Sequence, residues 1–318
     1  MTTTALIDRQ KAFFRTGATK AVTFRLEALK TLKTGITVFE TEILEALQED
    51  LGKSAHETFI TELGIVLSEI AYFERHLRRW IRPQKKPSGL LLFPSRSYLY
   101  PEPYGVALIM SPWNYPFQLA MMPLVAAIAA GNTCVVKPAS YAPATSKVLE
   151  QLLSHCFDPE YVATILGGRA QNTELLDQHF DFIFFTGSTE VGRHVMQKAA
   201  ANLTPVALEL GGKSPCIVLP DADIPLAAKR IAFGKIINAG QTCIAPDYVL
   251  VHDEVRDELL REMQKAITTF LGPLPETNPD YPKIINEKHF TRLQGYLADG
   301  KIVYGGAEIG RASCRERV

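Results

Sequence analysis

The 318-residue chain has no surplus of either charge, since 34 Lys+Arg face 34 Asp+Glu. A nucleic-acid-binding surface needs a basic excess to neutralise phosphates, so that class is disfavoured. Cysteine is scarce: five in all, with no two at metal-ligand spacing. This argues against a disulfide framework and for a reducing compartment. The seven histidines show no metal-ligand pairing either. The first ten residues, MTTTALIDRQ, lack the apolar core of a signal peptide. One uncharged run, Pro103 to Val136, is long enough to span a bilayer. Pro112, Asn114, Pro116, Pro123, Gly131 and Asn132 break it into a strand, a loop and a buried helix. The expectation is a soluble, cytoplasmic protein. Low-complexity tracts and internal repeats are absent too.

With 47% hydrophobic and 21% charged residues, the chain can build a sizeable core and is far from a disordered composition. Its length suggests about two domains. The first ~80 residues place apolar side chains three and four apart, as in TEILEALQEDLGKS and HETFITELGIVLSEIAYFERHLRRW, and so predict helices. A basic stretch follows from Arg75 to Lys86, readable as an anionic-ligand patch or as a solvated helix end favoured by the macrodipole. After Pro83–Gly89, LLLFPSRSYLYPEP reads as extended ribbon at an edge.

From Gly105 the pattern changes. GVALIM, NTCVVK, YVATIL, DFIFFTG and PVALEL read as apolar strands. Helices are predicted in PFQLAMMPLVAAIAAG (opened by Pro116), APATSKVLEQLLSHC and TEVGRHVMQKAAAN. Alternation of this kind means βαβ units and a mostly parallel sheet covered on both faces. CIVL, a helix from Ile224 to Asn238, YVLVH and a helix from Asp253 to Phe270 continue the α/β character into a second unit. IVYGGAE reads as a strand and turn, whereas IGRASCRERV has neither apolar period nor caps. It resembles the in-frame translation of a sequencing-library adapter, so residues 308–318 are expected to be a non-native tail.

Four segments carry candidate chemistry. In SPWNYP, Asn114 is a neutral amide donor after a strand, or simply a helix N-cap. In CVVKPAS, Lys137 ends a strand, where a parallel sheet binds ligands and a lysine can reach a ribose hydroxyl or phosphate; a solvated strand end is the plain alternative. FFTGSTEVG runs strand into helix, with Gly187 and Gly192 allowing close backbone approach and free N–H groups for a pyrophosphate. It could equally be an ordinary link, and it is not GxGxxG. Finally, LELGGKSP and GQTCIAP supply Glu209, whose apolar run predicts desolvation toward general-base character, and Cys243 beside a Gly–Gln turn. Cys134, Cys156 and Cys216 read as small hydrophobes. A cysteine hydrolase or acyltransferase competes as a reading, but it needs a His base, and none of the seven histidines sits in a comparable loop.

Taken in order, PWNYP, VVKPAS, FTGSTEVG, LELGGKSP and GQTCIAPDY resemble the aldehyde dehydrogenase superfamily, most of all its class 3 branch of fatty and aromatic aldehyde dehydrogenases. The resemblance covers residues 5–307. It implies a Rossmann-like parallel-sheet cofactor domain, a second and incomplete α/β catalytic domain, and a small extended bridging segment. The divisions would be a helical part at 1–82, a bridging and oligomerisation segment at 83–104, a dinucleotide-binding domain at 105–210 and a partial catalytic domain at 211–307. Implied roles are nucleophile for Cys243, general base for Glu209 and oxyanion amide for Asn114. Trp113, Lys137, Ser140, Gly187, Ser188 and Gly192 would hold the cofactor, NAD or NADP; no metal is implied. The implied partners are a small-molecule aldehyde and, at full length, a second copy in a homodimer, with no nucleic acid.

Class 3 members that prefer NAD carry glutamate where Ser140 stands, so the resemblance implies that NADP is accepted. The Glu-x-Phe-Gly-Pro motif, whose glutamate holds the nicotinamide ribose in that family, does not occur. The resemblance therefore implies a C-terminally shortened member of a family that oxidises an aldehyde to a carboxylic acid with NAD(P) through a cysteine thiohemiacetal and thioester; the alternative is an inactive fragment with residual nucleotide binding. Membrane attachment, which a class 3 tail decides, lies beyond this sequence.

Overall fold

The computed structural model describes residues 2–306. Five helices come first: α1 (Thr3–Arg15), α2 (Val22–Val38), α3 (Glu40–Leu51), α4 (Ala55–Thr58) and, after a wide turn at Phe59–Leu63, α5 (Gly64–Trp80). A short antiparallel hairpin follows, β1 (Gln84–Lys86) and β2 (Ser97–Leu99), with Gln84 opposite Leu99. Its strands are only three residues long, held between Pro83, Pro87 and Pro94, which cannot donate to a ladder.

Next come β3 (Val106–Met110), α6 (Gln118–Ala130), β4 (Thr133–Lys137), α7 (Pro143–Cys156), β5 (Val162–Thr164), α8 (Arg169–Leu176), β6 (Phe182–Gly187), α9 (Thr189–Ala200) and β7 (Val206–Leu210). These strands form one parallel sheet in the order β5-β4-β3-β6-β7. A second parallel pair, β8 (Ser214–Val218) and β9 (Pro246–Val251), is joined by α10 (Ile224–Ile236) and followed by α11 (Asp253–Leu271) and α12 (Glu287–Gly295). The architecture is the expected α/β one.

Period-two alternation explains how the sheet is covered. Ala107 and Ile109 of β3 join a core with Leu29, Leu32, Ile36, Ile43, Leu47, Ile70, Leu124 and Leu149 on the helical side. Val106, Leu108 and Met110 face the other way, onto Ile7, Leu175, Phe180 and Val195. Each such fully buried aliphatic side chain contributes about 1.5–3 kcal/mol, so both layers hold the sheet between them. The β8–β9 unit has its own core of Val218, Ile224, Ala228, Ile231 and Leu259.

Three local expectations are corrected, and one helix, α8, was not expected. Helix α6 starts at Gln118 rather than Pro116, because the Glu62 carboxylate accepts the Phe117 and Gln118 N–H groups and fixes the first turn there. Regular helix α10 stops at Ile236, and Asn238 and Ala239 take left-handed backbone (φ 51° and 50°). Helix α8 lies in a stretch with no legible amphipathic period. Residues 302–306 of the expected IVYGGAE strand form no strand: Ile302, Val303 and Tyr304 are half exposed, with no neighbouring ladder to receive their backbone. The tail at 308–318 lies outside the described residues. Among those residues no helix is long and apolar enough to cross a membrane.

Candidate active site

The chain lays down β3, β4 and β5 outward in one direction, then returns to place β6 and β7 on the other side of β3. Parallel sheets bind ligands at such a reversal, outside the carboxyl ends of the strands. Those ends carry the residues singled out in the sequence. Lys137 closes β4 opposite Met110, and the Ser111 N–H donates to the Lys137 carbonyl at 3.1 Å. Gly187 closes β6 opposite Leu210, one residue beyond Glu209.

Lys137 is 3% exposed and makes no ion pair among the described residues. Its Nζ donates to the Pro138 carbonyl at 2.7 Å, and burial pushes its pKa down to about 8. An ammonium has three donors, so further N–H groups are free for a ribose hydroxyl or phosphate. That capacity fits a dinucleotide. Ser140 is exposed three residues on, in the turn that leads to α7. Ser188 caps α9 by accepting the Val191 N–H at 3.3 Å. Gly192 lets that helix close on the sheet, since a Cβ there would lie 2.6 Å from Leu210 Cδ2.

The loop from Ser111 to Pro116 is held from below by two buried charges. Lys53 and Glu62 are both fully buried and ion-paired. Glu62 also caps α6, while Lys53 donates to the Asn114 carbonyl at 3.3 Å and lies 4.1 Å from the centre of the Tyr115 ring. Above this clamp, the Asn114 amide donates to the Gln241 carbonyl at 2.8 Å, and the Tyr115 and Thr242 hydroxyls are 2.6 Å apart. Asn238 adds a third tie: its amide donates to the Asn114 carbonyl at 2.7 Å and its backbone N–H to Glu57 at 2.7 Å. Burial raises the pKa of Glu57, opposed by the Asn238 hydrogen bond and by Lys53.

Cys243 follows immediately, exposed in the turn before β9. A Cβ on Gly212 would lie 3.0 Å from the Cys243 carbonyl oxygen, so the Gly211–Gly212 segment after Glu209 runs against the thiol-bearing turn. The structure thus brings the Asn114 loop and the β7 end to the Cys243 turn. Burial pushes the Cys134 thiol far above its ordinary range and Cys156 up to about 11, in keeping with inert, structural thiols.

Glu209 is not enclosed as its apolar run suggests. It is exposed: β7 is the outer strand of the sheet, and its alternate residues Val206, Leu208 and Leu210 are the ones packed against the core. Several supporting residues escaped the sequence reading: Lys53, Glu57, Glu62, Asn238, Gln241 and His289. A lysine followed by glutamates four and nine residues on looks like a solvated helix face, and only the fold buries it. His289 of α12 packs its ring 4.8 Å from Trp113. Its Nδ1 is buried without a hydrogen-bond partner, and burial together with Arg292 and Lys288 lowers its pKa.

A switch-point parallel sheet with a buried lysine at a strand end, joined to a turn that carries an exposed cysteine, is the arrangement of a dinucleotide-binding fold. The chain matches the aldehyde dehydrogenase family over residues 2–316 and belongs to it. It is 47% identical over 298 residues to 4,4'-diaponeurosporen-aldehyde dehydrogenase of Staphylococcus aureus, covering 93% of this chain and 65% of that protein. Against mouse (Mus musculus) aldehyde dehydrogenase family 3 member B3 the identity is 43%, over 94% of this chain and 63% of that one. The chain therefore spans just under two thirds of the length of these relatives. Among solved structures, the substrate-bound state of Staphylococcus aureus AldH superposes with a TM-score of 0.94 at 45% identity, over 97% of this chain and 68% of that one. A Mycobacterium tuberculosis aldehyde dehydrogenase complexed with NAD+ gives 0.84 at 26% identity, over 95% of this chain and 64% of that one.

Removing one charge of the clamp leaves the other buried and unpaired. Glu62→Ala should destabilise by about 3–5 kcal/mol in urea unfolding, whereas Lys53→Met with Glu62→Leu should recover most of that loss. A single-variant cost under about 1 kcal/mol would mean the pair is solvated.

Proposed function

We propose that the protein to which this chain belongs oxidises an aldehyde to a carboxylic acid with NAD or NADP, and that this chain supplies the cofactor sheet and the nucleophile. The observation that carries the reading is the hydrogen-bonded union of the Asn114 loop with the Cys243 turn at the sheet's switch point. Residues 105–210, with the helices of 1–82, form the dinucleotide-binding domain in this reading, and 211–307 belong to the catalytic domain. The protein works in the cytoplasm as a homodimer.

Trp113, Lys137, Ser140, Gly187, Ser188 and Gly192 would hold the dinucleotide, Lys137 through its free ammonium donors. Held there, the dinucleotide would supply a two-electron hydride acceptor for the adduct that Cys243 forms with the aldehyde. The protein's own residues do the rest. The Cys243 thiolate adds to the aldehyde carbon, forming an S–C bond and placing the electron pair on oxygen. One Asn114 amide N–H is given to Gln241, and the other, with the Cys243 backbone N–H, meets that oxyanion. Once the carbon is at the thioester level, Glu209 takes a proton from water as its oxygen attacks, and the thiolate leaves.

Cys243→Ser in the full-length protein should lower aldehyde turnover on the order of 10³-fold while cofactor still binds. Exchanging Cys134, Cys156 or Cys216 should leave it within a few-fold. Retained turnover in the Cys243 variant would end the mechanism.

The dinucleotide preference rests on Ser140. A hydroxyl there can donate to a 2′-phosphate, and Lys137 adds positive charge nearby. NADP should be used at least comparably to NAD. Ser140→Glu should shift the ratio of kcat/KM toward NAD by ~1–2 kcal/mol, the repulsion of one partly exposed charge pair. Strong NAD preference with Ser140 intact would contradict this.

A further inference from the structure

Asp50, near the end of α3, is a buried carboxylate, and no ion pair among the described residues includes it. Its hydrogen-bond partners all lie on another helix. The Asp50 Oδ1 accepts the Ala144 N–H at 3.2 Å, and its Oδ2 accepts the Thr145 N–H at 2.8 Å and the Thr145 hydroxyl at 2.7 Å. These donors open α7, whose own N-cap, Ala142, has no side chain that can accept them. A carboxylate from α3 thus caps α7 from outside, where the helix dipole favours its charge. Burial raises the pKa of Asp50, and the Thr145 and Ala144 donors oppose that rise.

The position of this cap matters more than the cap itself. Residues 138–142 are all that separate the end of β4 from the start of α7. The sheet fixes one end of that loop, at Lys137, and Asp50 fixes the other. Ser146 adds a tie across it, its hydroxyl donating to the Ala139 carbonyl at 2.9 Å. Three residues beyond Asp50, Lys53 holds the Asn114 loop. Between them the Leu51 carbonyl accepts the Lys283 N–H at 2.7 Å. Gly52 turns there in left-handed backbone (φ 68°), where a Cβ would lie 2.7 Å from Lys283 Cγ. One corner of the chain, Asp50 to Lys53, therefore reaches both the lysine loop and the Asn114 loop. A serine in place of Ala142 could cap α7 without burying a charge, but it would not tie α7 to that corner.

We propose that Asp50 is a positioning residue for the dinucleotide: by pinning the first turn of α7 it sets the reach of Lys137 and Ser140 from the same corner that sets the Asn114 loop. The inference rests on the dinucleotide reading given above. Asp50 acts through the loop and does not itself touch the cofactor.

Two measurements on the full-length protein test it: backbone hydrogen exchange without cofactor, and calorimetric titration with NAD and with NADP. Asp50→Asn keeps the side chain's shape but loses its charge and one acceptor. In that variant residues 138–146 should exchange on the order of tenfold faster, while residues 111–116 keep the parent rate. The Kd values for NAD and NADP should rise together, by about tenfold, leaving their ratio unchanged. Alkylation of Cys243 by iodoacetamide should proceed at the parent rate, because Lys53 still holds the Asn114 loop. Ser146→Ala should move the exchange and both Kd values the same way by a smaller factor, and it decides the matter if Asp50→Asn does not fold. The proposal falls if exchange in 138–146, or the two Kd values, stay at the parent level. It falls equally if exchange in 111–116 and alkylation of Cys243 accelerate alongside, which would make Asp50 a general stabiliser. A parent protein that binds neither nucleotide overturns the dinucleotide reading itself, an outcome that no Asp50 variant can mimic.

Discussion

Two buried charges, the Lys53 ammonium and the Glu62 carboxylate, decide where the thiol-bearing turn lies. Neither has water to solvate it, so each must take every partner within reach. Glu62 finds the first N–H groups of α6, and Lys53 finds the Asn114 carbonyl and the Tyr115 ring. The result is a loop between β3 and α6 that cannot slide. Everything above it, from the Asn114 amide to Gln241 and the Tyr115–Thr242 pair, inherits that fixed position. The exposed turn that carries Cys243 thus takes its placement from a charge pair buried beneath the Asn114 loop.

The same economy explains Asn238 and Ala239. Both sit in left-handed backbone, a strained choice for residues with side chains. The strain persists because Asn238 is tied on two sides, by Glu57 at its N–H and by the Asn114 carbonyl at its amide. Ending α10 there turns the chain back toward the sheet and delivers Gly240–Cys243 to the Asn114 loop.

Much of this was legible in the sequence, for physical reasons. β3, β4 and β6 are apolar runs because helices cover the sheet on both faces, and the breakers after β3 mark a loop. Lys137 and Gly187 could be placed at strand ends from their flanks alone. Lys53, Glu57 and Glu62 were not legible, because a charged side chain in a helical pattern reads as solvated until the tertiary fold encloses it. Glu209 misled in the opposite sense: an apolar run signals a strand, but whether that strand is inner or outer depends on sheet order, and β7 is an outer one. IVYGG failed likewise, since a strand-like pattern needs a neighbouring ladder.

The most direct test of the account is where the substrate becomes attached. Full-length protein carrying Glu209→Gln, mixed with an aldehyde and oxidised cofactor, quenched and digested, should yield the acyl mass on the peptide containing Cys243, with one reduced cofactor formed per subunit before turnover stalls. Reduced cofactor without that adduct, or an acyl mass on Cys134, Cys156 or Cys216 instead, would contradict it.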